Sequence, residues 1–165
     1  ATGLPNFTVT LLAALPYGMG VAVMLWNGWD SDRTGERRWH TAGILFLCGI
    51  FMALSVALRE HLWVGLGLLV LSGACTTAFM PSFWALPTAL LSESAAAASI
   101  GFINSVGGLG GFVGPFVMGY LRNLTGSFTV GLMFLIVAVL LSSVTVFALH
   151  ITHQPASLHH SQSGN

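Results

Sequence analysis

Five long stretches of this chain carry no formal charge. Its five basic and five acidic residues leave 1 to 29, 39 to 58, 61 to 92, 94 to 121 and 123 to 165 free of Asp, Glu, Lys and Arg. A hydrocarbon core about 30 Å thick takes about 20 apolar residues of helix. The first four stretches are close to that length or exceed it, and the last contains a suitable run before a polar tail. The pattern predicts five helices, at about 7–27, 40–58, 62–90, 96–121 and 127–149, and a polar, disordered tail over 150–165. LLAAL, GILFLCGIF and GLMFLIVAVLL do not alternate, which argues against a barrel. Five wholly apolar helices in a row also leave no chain to cover them in water. The expected class is an all-α integral membrane protein.

Composition narrows the function. Only 6% of residues are charged, against roughly a quarter in a soluble domain, and mean hydropathy is +0.83. With net charge zero, nucleic acid is not an expected partner; the bilayer is. Cys48 and Cys75 fall inside apolar spans and read as small buried hydrophobes. HExxH, Walker A and dinucleotide motifs are absent, and Ser72 and Ser105 have no histidine within their spans, so neither an enzyme nor a bound cofactor or metal is expected. Four of the six histidines lie in HITHQPASLHHSQSGN, which reads as a solvated tail. The start, ATGLPNF, has no initiator Met and no basic n-region, and the chain reads as truncated.

The charge is concentrated in GWDSDRTGERRW, Gly28 to Trp39, with Asp30, Asp32, Arg33, Glu36, Arg37 and Arg38. Read as the longest connector, its three arginines outweigh the single ones in Arg59–His61 and Arg122–Ser127, and positive loops stay cytoplasmic. That places the amino terminus outside, Gly28 to Trp39 inside and the tail inside.

Within the spans, polar side chains are few: Tyr17, Asn27, Ser72, Thr76, Thr77, Thr88, Asn104 and Ser105. Asn104 needs a partner in another helix, a wet cavity or a ligand. Trp84, between Pro81 and Pro87 in a long span expected to kink, suits either the interfacial belt or a cavity wall. Gly107 with Gly111, and Gly110 with Gly114, form overlapping GxxxG pairs beside Pro115, the signature of a helix–helix contact that is either static or sliding. No Asp, Glu, Lys, Arg or His sits near the middle of any span, so any ion-coupling group lies elsewhere.

The spacing Gly28-x-x-x-Asp32-Arg33-x-Gly35-x-Arg37-Arg38 resembles the cytoplasmic motif of the major facilitator superfamily, with Glu36 where a basic residue is common. AALPYGMGVAVMLWNGWDSDRTGERRWH, FWALPTALLSESAAAASIGFINSVGGLGGFVGPF and GYLRNLTGSFTVGL are similar to its anion:cation symporters, which include tartrate, phthalate and hydroxyphenylacetate permeases. The resemblance covers about residues 4 to 150. It implies helices eight to twelve of a twelve-helix fold, with the amino-terminal half missing, in a bacterial inner membrane. It implies alternating access around a midplane site, with a small organic anion as substrate and a proton or sodium as coupling ion. Motif charges would contact a neighbouring helix and favour the state closed to the cytoplasm. Tyr17, Thr76, Thr77, Trp84, Asn104 and Ser105 become candidate substrate contacts, and the residue holding the substrate carboxylate is expected in the missing half. A different class stays open: a small membrane scaffold or accessory subunit that binds a partner through its glycine-rich helix.

Overall fold

The computed structural model describes residues 6–149, and every element among them is helical: α1 (Asn6–Thr34), α2 (Arg37–Ala57), α3 (Leu62–Ala78), α4 (Met80–Leu90), α5 (Glu93–Thr125) and α6 (Phe128–Ala148). The tail expected over 150–165 lies outside the described residues. Four stretches among the described residues are long and apolar enough to cross a membrane: Arg37–Ala57, Leu62–Leu90, Glu93–Thr125 and Phe128–Ala148. α1 is a fifth long helix of 29 residues whose charges are confined to its last turns.

The stretch expected to be a connector is mostly helix. α1 continues through Thr34, and only Gly35 and Glu36 separate it from α2. Gly35 stops the helix at φ +73°, a left-handed conformation that costs glycine nothing. Its N–H donates to the Ser31 carbonyl at 3.0 Å, closing the last turn. The other turns are as tight. Gly126 at φ +68° ends α5, and the Ser127 Oγ accepts from the Thr129 N–H at 3.1 Å to start α6. Glu93 opens α5, where an acidic side chain suits the positive end of the helix dipole.

The third expected span is broken into two helices. α3 ends at Ala78 and α4 begins at Met80. Pro81 has no N–H for the Thr77 carbonyl and its ring crowds that oxygen; the Phe79 N–H takes the carbonyl instead. Pro115 does not do the same, and α5 runs through it as one helix.

α1 lies along α3, α2 sits between α3 and α6, and α5 leans on α6 and α4. The two buried apolar clusters mix small residues with one or two branched aliphatics. Ile44, Cys48, Cys75 and Ala78 form one, and Ala42, Leu86 and Val146 the other. Small side chains let helix backbones approach, which is how helices associate where lipid removes the hydrophobic drive between them. Hydroxyls and an amide tie the seams. Ser143 donates to the Ala42 carbonyl at 2.8 Å and Ser55 to the Gly65 carbonyl at 3.0 Å. Ser72 donates to the Cys48 carbonyl at 3.2 Å, while the Cys48 thiol returns a bond to the Ser72 carbonyl at 3.4 Å. Outside these seams the surface is apolar, with Leu25, Trp63, Leu141 and Phe112 all more than half exposed. Apolar cover on that scale fits lipid rather than water as solvent.

Candidate functional site

Two places gather the residues singled out from the sequence. The first is the α1–α2 hinge. Arg37 Nη1 donates to Asp32 Oδ1 at 2.7 Å, an ion pair that closes across the turn itself. Arg38 reaches the far end of the bundle's last helix and donates to the Leu149 carbonyl at 2.6 Å. Its neighbour Trp39 meets Phe147 edge to face at 4.8 Å, so the hinge and the end of α6 are held at two adjacent points. Arg33 lies over the Trp29 ring, 5.4 Å from its centroid. The neighbouring-helix contact expected of the motif is therefore made by Arg38; Asp32 stays within the hinge.

Three hinge contacts were not foreseen. His40 Nε2 lies 2.9 Å from Asp30 Oδ2, and its Nδ1 lies 2.8 Å from the Glu36 carbonyl, which pins α2 to the last turn of α1. Asn27, buried, donates from Nδ2 to the Ala78 carbonyl and to Ser82 Oγ, both at 2.9 Å, bridging the break between α3 and α4. Gly28 stands beside Pro81, whose Cβ would be 3.3 Å from a Cβ at that glycine. The charged hinge is thus fastened to the weakest point of the α3–α4 crossing. Only the amide type of Asn27, a polar group inside a span, signalled any of this.

The second place is a cleft of about 310 Å³ between α2, α4, α5 and α6, and it contains both Trp84 and Asn104. Its walls are largely apolar, with Phe79 and Phe83 beside Trp84; the Phe83 and Trp84 rings meet edge to face at 5.2 Å. Ser142, also in the wall, spends its hydroxyl on the Ala138 carbonyl at 2.8 Å. The Asn104 amide makes no hydrogen bond among the described residues. Ligand pockets of small molecules share this composition, apolar with a few placed polar groups.

The other candidate contacts do not join that cleft. Thr77 is a packing residue: its hydroxyl donates to the Ala74 carbonyl at 3.0 Å, and it fills the space where a side chain on Gly20 would go. Thr76 and Ser105 are exposed and return their hydroxyls to their own helices, to the carbonyls of Gly73 at 2.6 Å and Gly101 at 2.9 Å. Tyr17 is 68% exposed on α1. The glycine stripe on α5 also departs from expectation. A Cβ built on Gly107, Gly110, Gly111 or Gly114 meets nothing within 4 Å, so the stripe is not a contact between helices among the described residues. Glycines that do seat helices include Gly20, Gly28, Gly49, Gly73 and Gly131.

Comparison with known proteins bears on this arrangement. The profile of the Major Facilitator Superfamily matches residues 1–164. The chain belongs to that superfamily. It is 37% identical over 147 residues, 89% of its length, to a protein of Agrobacterium vitis named "Putative tartrate transporter", of which those residues are 32%. A second Agrobacterium vitis protein of the same name is 36% identical over 152 residues, 91% of this chain and 34% of that one. A "Quinolone resistance transporter" of Acinetobacter baumannii is 32% identical over 145 residues, 88% and 33% respectively. The chain spans about a third of the length of these curated relatives. No solved structure matches it. For a member of this superfamily the apolar helices make a multi-pass membrane protein.

Proposed function

We propose that this chain is the carboxy-terminal portion, helices eight to twelve, of a transporter that carries a small organic anion across a bacterial inner membrane by alternating access, coupled to a proton or sodium. The observation that carries the reading is superfamily membership along the whole chain, joined to relatives named as tartrate transporters. α1 would be a fifth span, its amino-terminal end periplasmic and the hinge and tail cytoplasmic. The role is transport rather than catalysis, and no cofactor is required.

In this reading two helical bundles rock about a site near the midplane. The hinge charges hold one end of the bundle together, through Arg37 with Asp32 and Arg38 with the end of α6. Their release would free the α3–α4 break, to which Asn27 and Gly28 fasten the hinge. Asn104 and Trp84 are the substrate contacts favoured here, one by an unspent amide and the other by a flat ring in the same cleft. Thr76, Ser105 and Tyr17, exposed as Asn104 also is but outside the cleft, remain secondary candidates. With no cation in that cleft, the carboxylate is held by the amino-terminal half. The scaffold alternative rests on the bare glycine face of α5 alone and accounts for none of the hinge.

The test is uptake of labelled tartrate and phthalate by cells expressing the complete gene. Asn104→Ala should raise the half-saturation concentration by roughly twofold to tenfold, the worth of one hydrogen bond. Unchanged kinetics would remove Asn104 from the site, and no carboxylate uptake with either coupling ion would defeat the reading.

A further inference from the structure

Each arginine but one has a partner among the described residues. Arg37 pairs with Asp32, Arg38 donates to the Leu149 carbonyl, and Arg33 and Arg122 lie over the rings of Trp29 and Phe128. Arg59 has none, and the acid beside it, Glu60, is exposed and forms no ion pair with it. Arg59 stands at a pocket of about 190 Å³ between α2, α3 and α6, at the end of the bundle opposite the hinge. The pocket walls are Val56, Leu66, Leu69 and Leu132. Ser55, also in the wall, is withdrawn from any ligand because its hydroxyl is committed to the Gly65 carbonyl at 3.0 Å.

The surroundings say what reaches this pocket. Leu62, Trp63 and Val64 next to it are 52%, 68% and 49% exposed. An exposed Trp at a helix end marks the membrane–water boundary. The free guanidinium therefore sits at headgroup level, above an apolar recess at acyl-chain level. Guanidinium suits phosphate, which it binds through paired N–H groups.

We propose that the α2–α3–α6 pocket is a binding site for an anionic phospholipid, with its phosphate on Arg59 and part of one acyl chain between Leu66, Leu69 and Leu132. It is separate from the Trp84–Asn104 cleft and does not depend on the transport reading. The occupant is a lipid rather than free phosphate because the recess beneath the cation is apolar, with Thr129 the one side-chain hydroxyl left uncommitted there.

The experiment is native mass spectrometry of the chain purified in detergent, given equal amounts of dioleoyl phosphatidylglycerol and dioleoyl phosphatidylcholine, which differ only in headgroup. The chain should retain phosphatidylglycerol several-fold over phosphatidylcholine. Arg59→Gln, at an exposed position that does not bear on folding, should abolish the preference, and Leu66→Trp, which fills the recess, should reduce retention of both lipids. Glu60→Gln should leave the preference intact or strengthen it. Equal retention by the unaltered chain, or a preference that survives both Arg59→Gln and Leu66→Trp, would overturn the proposal. So would full displacement of phosphatidylglycerol by inorganic phosphate, because the recess would then contribute nothing.

Discussion

The seam between α1 and α3 and the glycine face of α5 are alike in composition and opposite in structure. At the seam, Gly20 and Gly73 have a neighbour where a Cβ would go, Thr77 for the one and Pro16 at 2.8 Å for the other. On α5, Gly107, Gly110, Gly111 and Gly114 face open space, flanked by Phe112 and Phe116 at 72% and 63% exposure. Small residues permit close approach without specifying the partner. The seam is filled among the described residues, whereas on the α5 face an added Cβ would meet no neighbour there.

The contrast is easiest to break with bulk. Gly73→Leu should cost the folded chain up to about 3 kcal/mol through overpacking, whereas Gly111→Leu should leave its thermal unfolding in detergent unchanged. Equal losses at the two positions would mean that α5 is packed after all. A smaller effect is expected at Asn27. Asn27→Leu removes the bridge to Ala78 and Ser82 and should destabilise by about 1 kcal/mol, the scale of an interhelical hydrogen bond in a membrane. A change at Asn104, whose amide has no partner among the described residues, should not alter stability at all. The smallest loss belongs to the hinge. Asp32→Asn should cost well under ~1 kcal/mol, because Asp32 is 68% exposed and its pair with Arg37 is solvent-screened. A larger loss would give the hinge a structural weight that its exposure denies it.

Much of this was readable in the residues, and the misses have physical causes. Charge-free lengths located the helices because crossing lipid demands them, and Pro81 marked the third crossing's weak point. The hinge was mistaken for a loop because its charges suggested water; charged residues continue a helix readily beyond the membrane, and only Gly35 had to stop it. Trp84 and Asn104 were picked as separate oddities, and their meeting in one cleft depends on how α4 and α5 cross, which no single-helix pattern encodes. Thr77 was misjudged for the converse reason: a threonine that packs and one that binds a ligand look alike until the glycine opposite is seen. His40 with Asp30 joins residues ten apart, a distance set by the turn at Gly35 rather than by any helical period.

The claim on which the rest depends is that the hinge faces the cytoplasm at one end of a lipid-embedded bundle. Thr34 is exposed beside Gly35, and Cys48 and Cys75 are buried, so among the thiols of these residues a cysteine placed at Thr34 reports alone. In cells expressing Thr34→Cys, an impermeant maleimide should react in inside-out vesicles and leave intact spheroplasts unlabelled. Labelling of the spheroplasts, with none in the inverted vesicles, would contradict the sidedness and with it the carrier interpretation.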